Sequence, residues 1–348
     1  MKLEKALRNF RRFSLLTIFS VLFLIWVGGW VRSTGSGMGC PDWPKCFGLW
    51  VPPVEEAQLP PNYLDHFAEI RLKKNERLAK MLNAFGMNDM AEKVLNDPRV
   101  SEREEFNVYK TWTEYVNRLV GVLVGLFIFI TLIASWPIRK NYPGVFALSL
   151  SGFIGVAFEG WLGSLVVSTN LLPSLITVHM LVAMLILVVL IMAYMKTISV
   201  QSVDSIPRHL TLTGLVVSLI ALFQVILGTR VRESVDVVSK LLGDAERSNW
   251  ISNLGNDYQI HVRFYWLLLG GLLFWNYRMF PFFKQISALR KAQNLLAVLL
   301  LIEIGLGLSM HYFAIPPIAQ PMHLMLGTAI FTLVFYITNL LLIHRQKI

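Results

Sequence analysis

The chain has 348 residues, 55% of them hydrophobic and 16% charged, with a net charge of +10 and a mean hydropathy of +0.54. A soluble domain carries about 25% charged residues, so a soluble globular fold is excluded, and no groove-reading or base-stacking residues accompany the excess of lysine and arginine as a nucleic-acid partner requires. The apolar residues fall in runs of about 20, the length a helix needs to cross a bilayer.

In chain order, a basic tail, 1–12, leads into a first span near Phe13–Val31. That run is longer than a signal-peptide core and no small-residue cleavage site closes it, so it is expected to remain as an uncleaved span. A long loop, 32–110, follows. Its first stretch, 33–53, is rich in Gly, Pro and Trp and holds the two cysteines, Cys40 and Cys46. An even pair on the outer side of a membrane favours a disulfide. Its second stretch, 62–107, is charged and helix-prone. Ile70, Leu78, Met81, Leu82 and Phe85 lie at helical spacing there, which predicts an amphipathic helical hairpin over the outer surface, as a lid, spacer or oligomer contact. Spans near Thr111–Ile133, Val145–Val167 and Leu175–Met195 complete an N-terminal half, 13–195. After a linker, 196–209, a C-terminal half, 210–343, holds spans near Leu210–Thr229, Ile260–Tyr277, Asn294–His311 and Met322–Ile343, and a short tail, 344–348, ends the chain.

The two halves repeat one another. His179 and His323 are 144 residues apart, and so are Asn117 and His261, Glu159 and Glu303, Gly163 and Gly307, and Pro173 and Pro317. Gly28 and Arg32 match Gly228 and Arg232 at an offset of 200; the difference of 56 is the extra length of the first long loop. Such a register marks internal duplication. The expected fold is an all-α integral membrane protein of eight transmembrane helices, arranged as two parallel-repeat four-helix bundles, because four is an even number of crossings. Fifteen of the lysines and arginines lie in the two tails, the linker and loops on one face of this arrangement, opposed there by Glu4 and Asp204 alone. That asymmetry places both termini, Lys347 included, in the cytoplasm, and the protein in the inner membrane of a cell.

Ionisable groups within a bilayer are costly and mark function. Asn117, His179, His261 and His323 all lie in the first turns of even-numbered spans, at one depth. Imidazoles from two helices facing each other across an apolar slot suit the axial positions of haem. His261 with His323 meets that requirement in the C-terminal half; in the N-terminal half His179 faces Asn117. Glu114 lies one turn before Asn117, and Tyr258 stands at its repeat position, so only the first site has an acid beside it. It is a candidate for chemistry, with pairing to Arg118 or Arg32 as the alternative. Arg32 and Arg232 end spans one and five, where guanidinium forks suit haem propionates. Glu159 and Glu303 are expected to pair helices; His66, His209, His311 and His344 carry no assigned role.

The stretch from Gly29 to Gly48, GWVRSTGSGMGCPDWPKCFG, resembles the first outer loop of the haem A synthases, and Glu114-Tyr115-Val116-Asn117-Arg118 and the histidine-led spans agree. The resemblance covers nearly the whole chain apart from the helical insertion. It implies oxidation of the ring methyl of haem O to a formyl group by two successive hydroxylations with water as oxygen source, giving haem A for terminal oxidases. It implies a b-type haem on His261 and His323, substrate haem O at His179, Glu114 as the essential carboxylate, and participation of Cys40 and Cys46. Haem O synthase is the implied donor; an unknown electron acceptor, membrane lipid and a homo-oligomer are the other expected partners. Two departures stand out. Members often have histidine where this chain has Asn117, and 230–257 lacks the second cysteine pair of many relatives. An electron-transfer cytochrome b with two bis-histidine haems and a haem exporter are the rival readings; Asn117 argues against the first, and the second leaves the cysteine loop unexplained.

Overall fold

The computed structural model describes residues 2–96, 103, 105–199 and 206–345; Asp204 and Lys347 of the charge asymmetry lie outside the described residues. Ten α-helices are present among them: α1 (Lys2–Ser33), α2 (Tyr63–Ala84), α3 (Asn88–Asn96), α4 (Val108–Ser135), α5 (Pro143–Ser168), α6 (Pro173–Met195), α7 (Arg208–Leu242), α8 (Gly255–Met279), α9 (Ser287–Tyr312) and α10 (Ala319–Arg345). Seven of them, α1, α4, α5, α6, α7, α9 and α10, are long and apolar enough to cross a membrane. The remaining long helix, α8, has 25 residues but carries Asp257, Arg263 and Arg278, which dilute its apolar run. Pro143 and Pro173 open α5 and α6, where a missing N–H costs no intrahelical bond.

The chain divides into two compact units. One comprises Met1–Gly29, Phe127–Gly152 and Met184–Ile348. Within it, α8 lies antiparallel to α7 and is tied to it twice. Trp275 Nε1 donates to the Leu210 carbonyl (2.9 Å), and Gln224 Nε2 donates to the His261 carbonyl (3.2 Å). Both ties are fourteen residues apart on either helix, about 21 Å at the α-helical rise. Gly214 permits the closest approach, since a Cβ there would stand 2.6 Å from the Trp275 ring. Near the chain start Phe10 packs with Ile138, Val145 and Ala193, and Arg11 donates to the hydroxyl and carbonyl of Thr197. At the other end of α7, the helix runs thirteen residues past the expected end of its span, from Thr229 to Leu242. There Val235 and Val238 bury Trp250, Leu254 and Ile315.

The second unit comprises Trp30–Leu126 and Phe153–Ala183. It contains the expected hairpin, α2 packed on α3, with Leu78 and Val94 closing over Leu172. Of the expected stripe of α2, Leu78 is buried and Ile70, Met81 and Leu82 pack against buried clusters, but the buried face is wider and Phe85 is not on it. That face runs through Tyr63, Phe67, Arg71, Asn75 and Leu78, whereas Phe85 is 75% exposed. Asn75 is inside because its Nδ2 donates to the Ser168 carbonyl at 2.8 Å, a polar contact that a search for apolar periodicity passes over.

One backbone feature recurs at the offset of 144. Asn170 and Leu171, after α5, have positive φ of 51° and 63°; Ala314 and Ile315, after α9, have 55° and 54°. In each turn the second N–H reaches back five residues, Leu171 to Val166 O and Ile315 to Met310 O, both 2.9 Å. These bonds satisfy orphan carbonyls at the helix end. Four non-glycine residues in this region at matched positions carry the sequence repeat into the backbone.

Candidate functional site

The cysteine loop is built against the first turns of α4. Gly39 lies so close that a Cβ would stand 2.3 Å from the Lys110 carbonyl, and Thr111 Oγ1 donates to the Gly39 carbonyl at 2.9 Å. This approach delivers the Cys40 N–H to Glu114 Oε2 at 2.7 Å. The other oxygen, Oε1, accepts from Arg118 Nη2 at 2.5 Å, one helical turn on. Arg118 also donates to the carbonyls of Asp42, Lys45 and Cys40. The Asp42 carboxylate in turn accepts from the N–H groups of Phe47 and Gly48, which holds Phe47 at a φ of 55°. Cys40 and Cys46 form a disulfide and are fully buried, among Phe47, Tyr63 and Phe67. Burial pushes the Tyr63 hydroxyl above its ordinary pKa. Glu114 is thus paired with Arg118, the alternative that its spacing had left open. Two of the roughly four lone-pair positions of its carboxylate are used.

In the same unit His179, on α6, presents Nδ1 3.1 Å from Glu159 Oε1 on α5. The pair is within reach but not in line for a hydrogen bond. Asn117 Oδ1 is buried with no hydrogen-bond partner. Arg32 occupies the last turn of α1.

In the other unit the His261 and His323 rings face each other with centroids 6.3 Å apart and planes at 76°. Two bonds of about 2 Å from ring nitrogens to one metal put imidazole centroids about 6 Å apart, so the pair fits axial ligation of a single iron. No cluster of three or more His, Cys, Asp or Glu side chains placed to hold a metal ion is present among the described residues. Two opposed imidazoles are what a macrocycle that supplies its own equatorial nitrogens needs. His323 Nδ1 lies 3.0 Å from Glu303 Oε1, and Gln224 Nε2 lies 3.3 Å from His261 Nδ1. Arg232 bridges Gln320 Oε1 (2.5 Å) and Asp236 Oδ1 (2.6 Å). His311 donates to or accepts from the Tyr258 hydroxyl at 2.7 Å, with the two rings stacked.

The residues singled out in the sequence therefore fall into two groups. Glu114, Asn117, His179, Arg32, Cys40 and Cys46 belong to one unit, and His261, His323 and Arg232 to the other. Three contributors were not read from the sequence in these roles: Arg118 as the hub of the cysteine loop, Gln224 beside His261, and the glutamates facing His179 and His323. Each left a signal. Arg118 is four residues from Glu114, Gln224 is an amide inside an apolar run, and the glutamates keep the repeat register.

Comparison with known proteins gives a consistent match. Residues 11–77 and 88–335 fit the family described as COX15-CtaA, cytochrome oxidase assembly protein. The chain is 23% identical over 327 residues to a protein named heme A synthase from Nitrosomonas eutropha, covering 85% of this chain and 83% of that one. It is similarly 23% identical over 242 residues to the heme A synthase of Shewanella oneidensis, covering 69% of this chain and 62% of the relative's length. With the heme A synthase of Methylobacterium radiotolerans it shares 29% identity over 220 residues, 60% and 52% of the two chains. No solved structure matches.

Proposed function

The chain belongs to the COX15-CtaA family of cytochrome oxidase assembly proteins, and from that membership we propose that it is a membrane oxidoreductase converting haem O to haem A. Each hydroxylation removes two electrons and a proton from the ring methyl, and water adds as hydroxide equivalent, releasing a second proton. Two rounds give a geminal diol, which loses water to leave the formyl group. His179 would hold the substrate iron; Asn117, in the same unit, offers an amide that is a poor iron ligand. Glu114, beside that site, stabilises developing positive charge and accepts a proton through its remaining lone pairs. Arg32 and Arg232 serve the propionates. His261 and His323 would hold a b-type haem, which would supply a one-electron relay toward an acceptor outside the protein.

The observation that supports this reading best is the division of residues. Glu114 and the disulfide share a unit with His179, the one histidine on a candidate membrane span there, while His261 and His323, with no counterpart of Glu114, occupy the other. A storage site and a reaction site need that asymmetry. The proposed topology is eight spans in two halves of four, with α8 as the eighth, both termini cytoplasmic in the inner membrane, and the cysteine loop outside. Haem O comes from a haem O synthase, and a homo-oligomer in the lipid is expected. Co-expression with a haem O-producing farnesyltransferase, followed by chromatography of extracted haems, tests the function. Haem A is expected; haem O alone would end the proposal.

A further inference from the structure

Two carboxylates inside apolar helices are not used by the reaction as described. Glu159 and Glu303 have side chains only 13% and 11% exposed. Both oxygens of Glu159 and Oε2 of Glu303 lack a hydrogen-bond partner, as do Nδ1 of His179 and of His323. An uncompensated carboxylate in such surroundings is strongly unfavourable, so its position calls for a counterpart. Each glutamate lies within ion-pair distance of Nδ1 of the histidine on the following helix, at 3.1 Å and 3.0 Å. The arrangement extends further. Gly163 and Gly307, one turn after each glutamate, lie under the Cε1 atom of the same histidine ring, 3.7 Å from the position of a Cβ in both units. Two separate parts of the chain thus hold a glutamate, a glycine and an imidazole in one geometry.

We propose that Glu159 and Glu303 are positioning residues that accept the Nδ1–H of His179 and His323, leaving Nε2 of each ring as the free donor atom. Histidines that bind metals commonly give their other ring N–H to a carboxylate, which fixes the tautomer and makes the ring more basic. His261 differs: the Gln224 amide nitrogen, a donor, lies 3.3 Å from its Nδ1 and 3.5 Å from its Nε2; the position equivalent to Gln224 in the first half is Leu24. The pair therefore combines one imidazole beside a carboxylate acceptor with one beside an amide donor.

The inference rests on haem binding at these histidines, and its test separates the two claims. The full-length protein is purified with its pigment as wild type, Glu303→Gln, Glu303→Ala and Glu159→Gln. Haem content is measured by pyridine haemochrome, and the midpoint potential of the b haem by redox titration. Glu303→Gln keeps an acceptor oxygen but loses the charge, so it should retain the b haem with a midpoint potential shifted positive. Glu303→Ala should lose more than half of the b haem, whereas Glu159→Gln, in the other unit, should leave the b haem content and potential where they were. A glutamate that only packs helices predicts wild-type potential in Glu303→Gln, and that result overturns the inference. A wild type without protohaem overturns both the haem reading and the inference; a wild-type protohaem band with unmoved potential in both Glu303 variants overturns the inference alone.

Discussion

Glu114 illustrates how one side chain serves both architecture and chemistry. Its carboxylate closes the cysteine loop by accepting from Cys40 N–H and Arg118. Removing one member of a buried ion pair costs about 3–5 kcal/mol. Arg118 keeps three carbonyl acceptors, so Glu114→Ala is expected to cost less, about 2–3 kcal/mol, read as a lower thermal midpoint of the purified protein. Glu114→Gln keeps an oxygen for Cys40 and should fold; extracted haems should shift at least tenfold from haem A toward haem O. Wild-type haem A yield in that variant would remove the charge from the mechanism. Asn117, whose Oδ1 has no partner, carries a second prediction. Asn117→His supplies the imidazole that His261 supplies in the repeat, so an additional low-spin ferric signal should appear in the EPR spectrum when substrate haem is bound; an unaltered spectrum would place residue 117 away from the iron. The histidines, Glu114 and the cysteines were legible because ionisable and thiol groups are rare against an apolar background. The pairing of Arg118 with Glu114 was legible as one of two alternatives from its four-residue spacing; Gln224 and the glutamates' partners were not, because a contact between helices leaves no periodicity.

At the scale of the element, the α2–α3 hairpin shows which part of a helix pattern can be trusted. Helical spacing located it, yet the inward stripe includes Arg71 and Asn75 while Phe85 faces outward. Hydrophobicity alone set the expected face; the contact from Asn75 to the Ser168 carbonyl adds polar residues to it that apolar spacing does not mark. Leu78 is the apolar link in this seam, 5% exposed against Val94 and Leu172. Leu78→Ala should cost about 2–4 kcal/mol through the cavity left behind. The expected signature is faster amide hydrogen exchange confined to residues 63–96, with exchange in α7 to α10 unchanged. Uniform acceleration over the chain would instead show that the hairpin and the membrane helices unfold together. The extension of α7 beyond Thr229 escaped the sequence for a related reason, since hydropathy marks where apolarity ends and not where the helix does.

For the whole molecule, the number of crossings turns on α8, and with it the side of the bilayer on which the chain ends. Seven crossings put the termini on opposite sides; eight put both on the side of the basic tails. Composition counts against α8, because Asp257, Arg263 and Arg278 lie within it. Packing counts for it. Its ties to α7 at Leu210 and Gln224 are about 21 Å apart along the axis, most of a hydrocarbon core of about 30 Å, and α7 is itself a candidate span. Helices that stay side by side over that distance traverse the same slab, and Asp257 and Arg278 then fall at its two rims. The sequence repeat made this legible where local hydropathy did not, since His261 matches Asn117 of α4, another candidate span. A fluorescent protein fused after Ile348 should therefore fold and fluoresce in the cytoplasm, and alkaline phosphatase inserted at 243–249 should be active outside. A dark C-terminal fusion beside an active C-terminal phosphatase would mean seven crossings, and the facing of His261 with His323 would then need a helix that enters the bilayer without leaving it.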